Sequence, residues 1–365
     1  MTDRPHPPGS HRPRRVVFLP HWPDNPYQVL LASGLEALGV HVGVVDRLAL
    51  FLPAIWRRGQ PGIVHLHAPD HFVVYRRSHL AAAIALVLYF VQLALLRLGG
   101  ARIVWTVHDL INHERRRPRV DALVRAGTAR LAHAMIVHCE AARREVALAL
   151  GCDPARLRVV PHGHYSSTYP DPQPTARAAR AALGLPSAPL IVLFLGNLRR
   201  HKGLEVLIDA WVRLDRPNTR LVIAGAPFDD AIGQALEGLV TGRRDIDLRA
   251  ASVPDADVAT YLRAADVVVC PFTSSLTSGS LALALSFGKP VVASRLGCAV
   301  EMTTEAGGFL YDPTAPEGLL VALRAAVDAR DRLATIGEAN RSRMQQCDWS
   351  SIARQTLAVY DEASG

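Results

Sequence analysis

Both lysines of this chain lie in short loops that suit phosphate binding. Lysine and arginine together number 41, and Lys202 and Lys289 are the two lysines. Lys202 lies in the segment 196–203 (GNLRRHKG) directly after the apolar run 190–195, and Lys289 lies in the segment 286–294. A lysine ammonium is a compact point charge, whereas an arginine guanidinium is a planar fork. The placement therefore indicates anion binding, with chance in an arginine-rich chain as the alternative.

Three loops between residues 190 and 290 have the composition of a nucleotide-diphosphate site. The loop 196–203 leads from a predicted strand into a helix, so that its backbone N–H groups and cations can converge on phosphates. The segment 274–280 (SSLTSGS) precedes an apolar helix and offers hydroxyls and free N–H groups. The turn 223–227 ends another strand and is placed to face a base or ribose. Ordinary strand-to-helix turns with a capping Ser or Gly are the alternative. The predicted binding residues are Gly196, Arg199, Arg200, Lys202, Gly225, Thr277, Ser278, Gly279 and Ser280.

Strands and helices alternate along the chain, which is typical of parallel βαβ units. Strands are predicted at 15–20, 42–45, 63–66, 101–107, 134–137, 158–163, 190–195, 219–224, 246–249, 266–270 and 290–293. Helices are predicted at 27–38, 203–214, 228–240, 255–264 and 279–287. The sequence therefore predicts an α/β fold of two Rossmann-like doubly wound domains. A ligand cleft is expected between them, at the carboxyl ends of the strands.

The proline-rich segment 168–176 indicates a linker between the two domains. Residues 1–13 are rich in Pro, His and Arg and lack an apolar stretch, so they are expected to be a disordered tail and not a signal peptide. The boundaries are then 14–170 for a first Rossmann-like half, 171–345 for a second, and 346–365 for a final helix that crosses back to the first half.

Composition limits the partners and the compartment. The net charge of +8 favours an anionic partner. The basic residues are scattered and not interleaved with aromatic residues, which argues against nucleic acid. The five cysteines are odd in number and widely separated, which favours reduced thiols in the cytoplasm over a secreted disulfide framework.

Three segments of the second half together resemble the GT-B glycosyltransferases that use nucleotide sugars. They are Gly196 to Gly203, 264–272 (AADVVVCPF) and 287–294 (FGKPVVAS). The resemblance covers about residues 190–345 and extends more loosely to the first half. It implies a GT-B fold, a nucleotide-sugar donor bound by the second half and an acceptor bound by the first.

The chain departs from this family at two positions. Where the family has two glutamates eight positions apart, this sequence has Ser275 and Leu283. The segment 277–286 instead resembles β-mannosyltransferases of bacterial exopolysaccharide assembly, as do 23–28 (PDNPYQ) and 105–109 (WTVHD). That resemblance implies an inverting enzyme, and a pseudo-enzyme is the alternative explanation of the same loss.

Direct displacement at an anomeric carbon needs a base for the acceptor hydroxyl and a stabilised diphosphate leaving group. His108 is the first candidate base and Asp109 the second, because they follow a central strand whose end should face the cleft. A structural role is the alternative for each. Other candidates at strand ends are His21, Asp24, His65, His67, Asp70, His113 and Glu114. The imidazoles of a pair such as His65 and His67 can bind a metal ion. The resemblance, however, implies a metal-independent reaction with no cofactor besides the donor substrate.

The stretch from Leu80 to Leu96 is almost entirely apolar and is flanked by Arg76, Arg77 and Arg97. A membrane span needs about 20 residues, and a helix of a soluble domain should have a polar face. A membrane-docking face, a buried helix and a true span are the three interpretations. The docking face fits a lipid-linked acceptor and anionic lipids.

The sequence thus predicts a cytoplasmic glycosyltransferase, peripheral on the inner face of the cell membrane. It is expected to move a hexose, with mannose from GDP-mannose as the first choice and a UDP-sugar as the other, onto a polyprenyl-linked or other glycosidic acceptor. A soluble glycosyltransferase for a small natural product and a non-catalytic sugar-nucleotide-binding protein are the alternatives. A Rossmann dehydrogenase is disfavoured because Gly-x-Gly-x-x-Gly is absent after the first strand.

Overall fold

Two parallel six-stranded sheets form the framework of the protein. The computed structural model describes residues 15–46, 49–112, 114, 116–166, 168–169, 174–303 and 307–365. The first sheet has the strand order β2-β1-β3-β4-β5-β6 and the second β12-β11-β10-β7-β8-β9. The strands are β1 (Arg15–Leu19), β2 (His41–Val44), β3 (Ile63–Leu66), β4 (Arg102–Thr106), β5 (Ala134–Val137), β6 (Leu157–Val159), β7 (Leu190–Leu195), β8 (Thr219–Ala224), β9 (Ile246–Arg249), β10 (Val267–Cys270), β11 (Val291–Ser294) and β12 (Gly308–Tyr311).

Helices cover both faces of each sheet, which is why the central strands are continuous buried runs and not alternating ones. The helices of the first half are α1 (Pro26–Glu36), α2 (Leu52–Arg57), α3 (His79–Leu98), α4 (Pro118–Leu131) and α5 (Glu140–Leu150). Those that follow are α6 (Ala176–Ala182), α7 (Leu204–Leu214), α8 (Asp230–Val240), α9 (Asp255–Ala264), α10 (Gly279–Ser286), α11 (Ala299–Met302), α12 (Gly318–Asp328), α13 (Leu333–Gln345) and α14 (Trp349–Ser364). Short 3-10 turns occur at Pro69–Phe72, Pro154–Arg156, Arg200–Lys202 and Arg330–Arg332.

The predicted α/β architecture is confirmed, and each predicted strand has its counterpart in one of the two sheets. The edge strand β12 was not predicted; its apolar segment 309–311 is only three residues long, and three of its four residues are half-buried. The predicted tail 1–13, and residues 170–173 of the predicted linker, lie outside the described residues.

The last helix packs on the first sheet although it follows the second sheet in the chain. Helix α14 contacts α1, β4 and β5. The indole N–H of Trp349 donates to the His164 carbonyl at 2.6 Å, and the Tyr360 hydroxyl lies 2.7 Å from Nδ1 of His65. Both aromatic side chains are buried, so α14 ties the end of the chain to the core beneath the first sheet.

Two cysteines are not the free thiols that the sequence led us to expect. Cys139 and Cys298 form a disulfide, whereas Cys152, Cys270 and Cys347 are free. The two partners are 159 residues apart and come from different halves. Spacing along the chain cannot reveal such a pair, because the fold alone brings the two sulfurs together.

Candidate active site

The two halves meet where the strands end. The Arg199 guanidinium, which follows β7, lies 3.2 Å from a carboxylate oxygen of Glu114, which follows β4. Burial lowers the pKa of Lys202, and the carboxylate of Asp109, across the same gap, is close enough to oppose that shift. The carboxyl ends of both sheets therefore face one cleft, the position at which open α/β folds bind ligands.

Glycines allow the predicted donor loops to approach each other closely. Gly196 has a φ of +144°, and a Cβ there would lie 3.3 Å from Oγ of Ser280. A Cβ on Gly225 would lie 1.9 Å from the Gly196 carbonyl oxygen. Gly196 and Ser280 thus bring the loop after β7 to the start of α10. Gly225 serves the close packing of two loop backbones and offers no side chain to a ligand.

The amino terminus of α10 is capped by Ser278 and presents backbone N–H groups that have no acceptor within the helix. The Ser278 hydroxyl accepts a hydrogen bond from the Leu281 N–H at 3.1 Å, which satisfies one of the first backbone donors of the helix. Gly279 and Ser280 occupy the first two positions of the helix, where N–H groups lack partners within the helix. The Thr277 hydroxyl lies 3.6 Å from the sulfur of Cys298. This helix end therefore offers an anion two backbone N–H groups and the positive end of a helix dipole.

Lys202 is a partly desolvated cation at this cleft. Its ammonium lies 3.9 Å from the centroid of the Phe272 ring. Burial lowers the pKa of Lys202, and Asp109 acts in the opposite direction. The 3-10 turn that carries Lys202 is held to the end of β10, because the Thr273 N–H donates to the His201 carbonyl at 2.9 Å. A diphosphate placed here would restore the electrostatic stabilisation that burial removes.

The two arginines of the same loop differ in their surroundings. Arg199 is half-buried, pairs with Glu114 and lies over the Phe228 ring at 4.8 Å. Arg200 is exposed, and both arginines border a cavity between α7 and α8. Arg199 is therefore placed in the cleft, whereas the part of Arg200 in donor binding stays a prediction.

His108 and Asp109 follow the central strand β4 and lie opposite these cations. Nε2 of His108 lies 3.4 Å from Nδ1 of His67. Burial, together with neighbouring histidines, lowers the pKa of His108 well below its ordinary value. The imidazole is therefore neutral at pH 7 and has a lone pair for proton acceptance. Both residues line a cavity of about 80 Å³ that Arg199 also borders.

Comparison with known proteins agrees with this arrangement. Residues 189–329 match the family model of glycosyl transferases group 1. The structure of sucrose-phosphate synthase from Thermosynechococcus elongatus superposes with a TM-score of 0.75 at 21% identity, over 96% of this chain and 98% of that one. The chain therefore has the two-domain α/β fold of the GT-B glycosyltransferases. Anabaena HepE in complex with UDP-glucose gives a TM-score of 0.71 at 17% identity, over 94% and 99% of the two chains.

Two kinds of curated relative match this chain. A D-inositol 3-phosphate glycosyltransferase from Kineococcus radiotolerans is 31% identical over 63% of this chain and 57% of its own length. A GDP-mannose:glycolipid 4-beta-D-mannosyltransferase from Xanthomonas campestris pv. campestris is 26% identical over 83% of this chain and 80% of its own. The chain spans about half the length of the D-inositol 3-phosphate glycosyltransferases that it matches.

The second lysine does not belong to the site, so the phosphate-binding interpretation of its loop is wrong. Lys289 precedes β11, and its ammonium donates to the Ala265 carbonyl at 2.7 Å, just before β10. It therefore lies at the amino edge of the sheet, opposite the cleft. Burial lowers its pKa to about 8. Its buried stem and backbone contact explain the residue as a structural one.

The remaining base candidates separate into structural, peripheral and undescribed residues. His65 is fully buried, and its ring nitrogens contact the hydroxyls of Tyr360 and Thr106, each at 2.7 Å, so it is occupied within the core. His21 is half-buried and Asp24 is exposed beside α1. His113 lies outside the described residues.

Sequence reasoning missed a polar network that lines the acceptor side of the cleft. The Asn112 amide donates to Asp70 at 2.8 Å and to the Tyr75 hydroxyl at 2.7 Å. Arg125 lies 2.9 Å from Asp121 and 3.8 Å from Asp70. Asp70 was a candidate, but the other members of the network come from two loops and the helix α4, so no local pattern signals them.

Two further observations concern metal-ligating side chains and the other large cavity. Across the described residues, no group of three or more His, Cys, Asp or Glu side chains is placed to hold a metal ion. A larger cavity of about 1000 Å³ lies between β12 and α12, and its lining includes none of the predicted site residues. The cleft is therefore the better candidate, although its cavity is smaller.

Proposed function

We propose that the protein transfers a hexosyl group from a nucleotide sugar, with GDP-mannose as the donor, to a hydroxyl of a lipid-linked or other glycosidic acceptor. The observation that carries this proposal is the placement of Lys202 and Arg199 opposite His108 and Asp109 across one cleft. The mannosyltransferase relative, similar over most of both chains, supports the donor. The complex of Anabaena HepE supports UDP-sugars as the second class to test.

The proposed chemistry divides between the halves. Neutral His108 accepts the proton of the acceptor hydroxyl, with Asp109 as the second candidate, while the hydroxyl oxygen attacks the anomeric carbon. Arg199, Lys202 and the amino terminus of α10 stabilise the charge that develops on the departing diphosphate. These groups supply the positive charge from the chain itself, so the proposed reaction is independent of metal and needs no cofactor besides the donor.

Inversion at the anomeric carbon is proposed from the two replaced carboxylates. The Ser275 hydroxyl donates to the Thr277 carbonyl at 3.4 Å, and Leu283 lies half-buried on α10. Neither side chain can act as a nucleophilic or charge-stabilising carboxylate beside the sugar. A single displacement with a base on the opposite half then accounts for the reaction, and NMR of the product linkage tests it.

We propose further that α3 docks the protein on anionic membranes. One face of α3 is buried through Tyr89, Gln92, Leu93 and Leu96, and Gln92 accepts a hydrogen bond from the Leu52 N–H at 3.0 Å. The opposite face is an exposed apolar stripe of Leu80, Ile84, Val87, Val91, Leu95 and Leu98. By length and composition the helix is apolar enough to span a membrane. Of its most apolar 18-residue stretch, 33% is buried inside the protein. A one-sided apolar face beside the exposed Arg77 fits docking better than spanning.

Vesicle binding tests the docking face. Ile84→Glu with Val91→Glu should lower binding to vesicles of phosphatidylglycerol and phosphatidylcholine by at least about tenfold, because two apolar side chains, each contributing about 1.5–3 kcal/mol on burial, no longer enter the lipid. The control is Leu148→Glu on α5, which replaces an even more exposed apolar residue on another helix. Equal binding by all three proteins would contradict the docking face.

Turnover tests the proposed activity. Purified protein is incubated with GDP- and UDP-sugars, with and without a bacterial lipid extract, and release of nucleoside diphosphate is measured. We expect release from GDP-mannose that rises with the extract. Release that rises with small soluble acceptors but not with lipid would favour a soluble glycosyltransferase. Donor binding without turnover under every condition would favour the non-catalytic alternative.

A further inference from the structure

A disulfide joins the two halves beside the cleft. Cys139 caps α5 directly after β5, and Cys298 precedes α11 after β11, so both lie at the carboxyl edges of their sheets. Their Cα atoms are 5.5 Å apart, and both residues are almost fully buried. The bond therefore connects the two walls of the cleft covalently.

The second-half cysteine is attached to the loop that begins α10. The Cys298 N–H donates to the Leu276 carbonyl at 2.9 Å, and the Thr277 hydroxyl lies 3.6 Å from the Cys298 sulfur. Gly297 has a φ of +47°, and a Cβ there would lie 2.1 Å from the Leu276 oxygen. A movement of Cys298 must therefore displace the loop that carries the predicted diphosphate-binding residues.

A carboxylate from the second half reinforces the same junction. The two oxygens of Glu301 accept hydrogen bonds from the backbone N–H groups of Glu140 at 3.0 Å and Ala141 at 2.8 Å. These are the first donors of α5, where a negative charge also interacts favourably with the helix dipole. The covalent and the polar link lie side by side and constrain the same two elements.

We propose that Cys139 and Cys298 are a redox site that latches the cleft. In oxidised protein the disulfide fixes α5 to the loop before α10, and in reduced protein the Glu301 contacts hold this junction without a covalent bond. The oxidant is a small-molecule disulfide such as oxidised glutathione. One cysteine thiolate attacks it and releases one thiol, and the second cysteine then displaces the other thiol from the mixed disulfide. Two protein thiols are oxidised, one small disulfide is reduced to two thiols, and the cysteine protons pass to the released thiolates. A dithiol reverses the exchange.

A redox pair suits the compartment expected for this chain better than a permanent disulfide does. Cytoplasmic proteins are kept reduced, and their disulfides are usually transient or sensing. Both sulfurs are buried in the latched arrangement, so exchange requires a local opening of the junction. The latch goes beyond the proposed transfer reaction and does not depend on the identity of the sugar.

The first experiment tests the pairing. The full-length protein is equilibrated with oxidised glutathione, its free thiols are alkylated, and tryptic peptides are analysed without reduction. We expect a cross-linked pair made of residues 131–143 and 296–324, which disappears after dithiothreitol. Alkylation of both Cys139 and Cys298 in the oxidised sample would overturn the proposal.

The second experiment tests the latch by hydrogen exchange of oxidised and reduced wild-type protein. Reduction should raise exchange by at least about tenfold at residues 140–142 and at 276–281, where local opening limits exchange. Cys139→Ser and Cys298→Ser should match the reduced protein under both conditions, and the control Cys152→Ser should keep the redox response. Identical exchange in oxidised and reduced wild-type protein would show a disulfide without a latch and would overturn the proposal without bearing on sugar transfer.

Discussion

The replacement of Lys202 by methionine tests the donor side of the cleft most cleanly. Methionine keeps an unbranched apolar stem against Phe272 and removes the ammonium that lies 3.9 Å from that ring. The lost cation–π contact is present in both the free and the bound protein, so it cancels in the binding equilibrium. What remains is the charged contact to the diphosphate, which contributes about 1.5–3 kcal/mol. The donor dissociation constant should therefore rise about 10- to 150-fold.

Titration calorimetry with GDP-mannose, GDP and guanosine measures this effect. Affinity for GDP-mannose and GDP should fall together, whereas guanosine affinity should not change, because guanosine has no phosphate. Lys289→Met is the matched control, since that ammonium contacts the Ala265 carbonyl at the far edge of the sheet. It should leave donor affinity unchanged and lower the free energy of unfolding by about 1–3 kcal/mol. A folded Lys202→Met protein with wild-type affinity for GDP would refute the phosphate assignment.

Three further predictions concern the base, the loop geometry and pH. His108→Asn should lower kcat by about 10²–10⁴-fold with unchanged donor affinity, and an unchanged kcat would exclude His108 as the base. Gly203→Ala should lower the free energy of unfolding by about 1–3 kcal/mol, because the φ of Gly203 is +68° and a Cβ there would lie 2.0 Å from the Pro271 carbonyl oxygen. Urea titration measures this change, and an unchanged midpoint would contradict it. Burial lowers the pKa of several histidines below the unfolded value of about 6.5. Below pH 6.5 the unfolded chain therefore binds more protons than the folded protein does. The free energy of unfolding should fall as the pH is lowered from about 6.5 toward 4, and each such histidine contributes up to about 1.4 kcal/mol per pH unit to this loss. Urea unfolding between pH 8 and 4 measures this, and a pH-independent midpoint would contradict it. Burial lowers the pKa to about 3 for His65 and His138 and to about 4 for His162.

The alternation of buried strands and helices was sufficient to predict two parallel sheets. Runs such as 190–195 are apolar because helices cover both faces, and that constraint is local and visible in sequence. The edge strand β12 was not predicted, because its apolar segment is only three residues long and an edge position leaves most of its residues half-buried. The fold depends on burial, and burial leaves a periodic signal in the sequence.

The site was less predictable because it depends on which edge of a sheet a loop occupies. Lys202 and Lys289 lie in loops of similar composition, yet one follows a strand and the other precedes one, which places them on opposite sides of the second sheet. Contacts between the halves, such as Arg199 with Glu114, join residues that no pattern along the chain relates. The Cys139–Cys298 pair was missed for the same reason.

The most direct test of the central claim follows labelled mannose from donor to product. GDP-mannose carrying a radiolabel is incubated with bacterial lipid extract and either wild-type protein or His108→Asn, and label is counted in the organic phase. The proposed function predicts labelled lipid with the wild type and a loss of about 10²-fold or more with the variant. Binding of GDP-mannose by the wild type, with no label transferred to lipid or to any soluble acceptor, would contradict it.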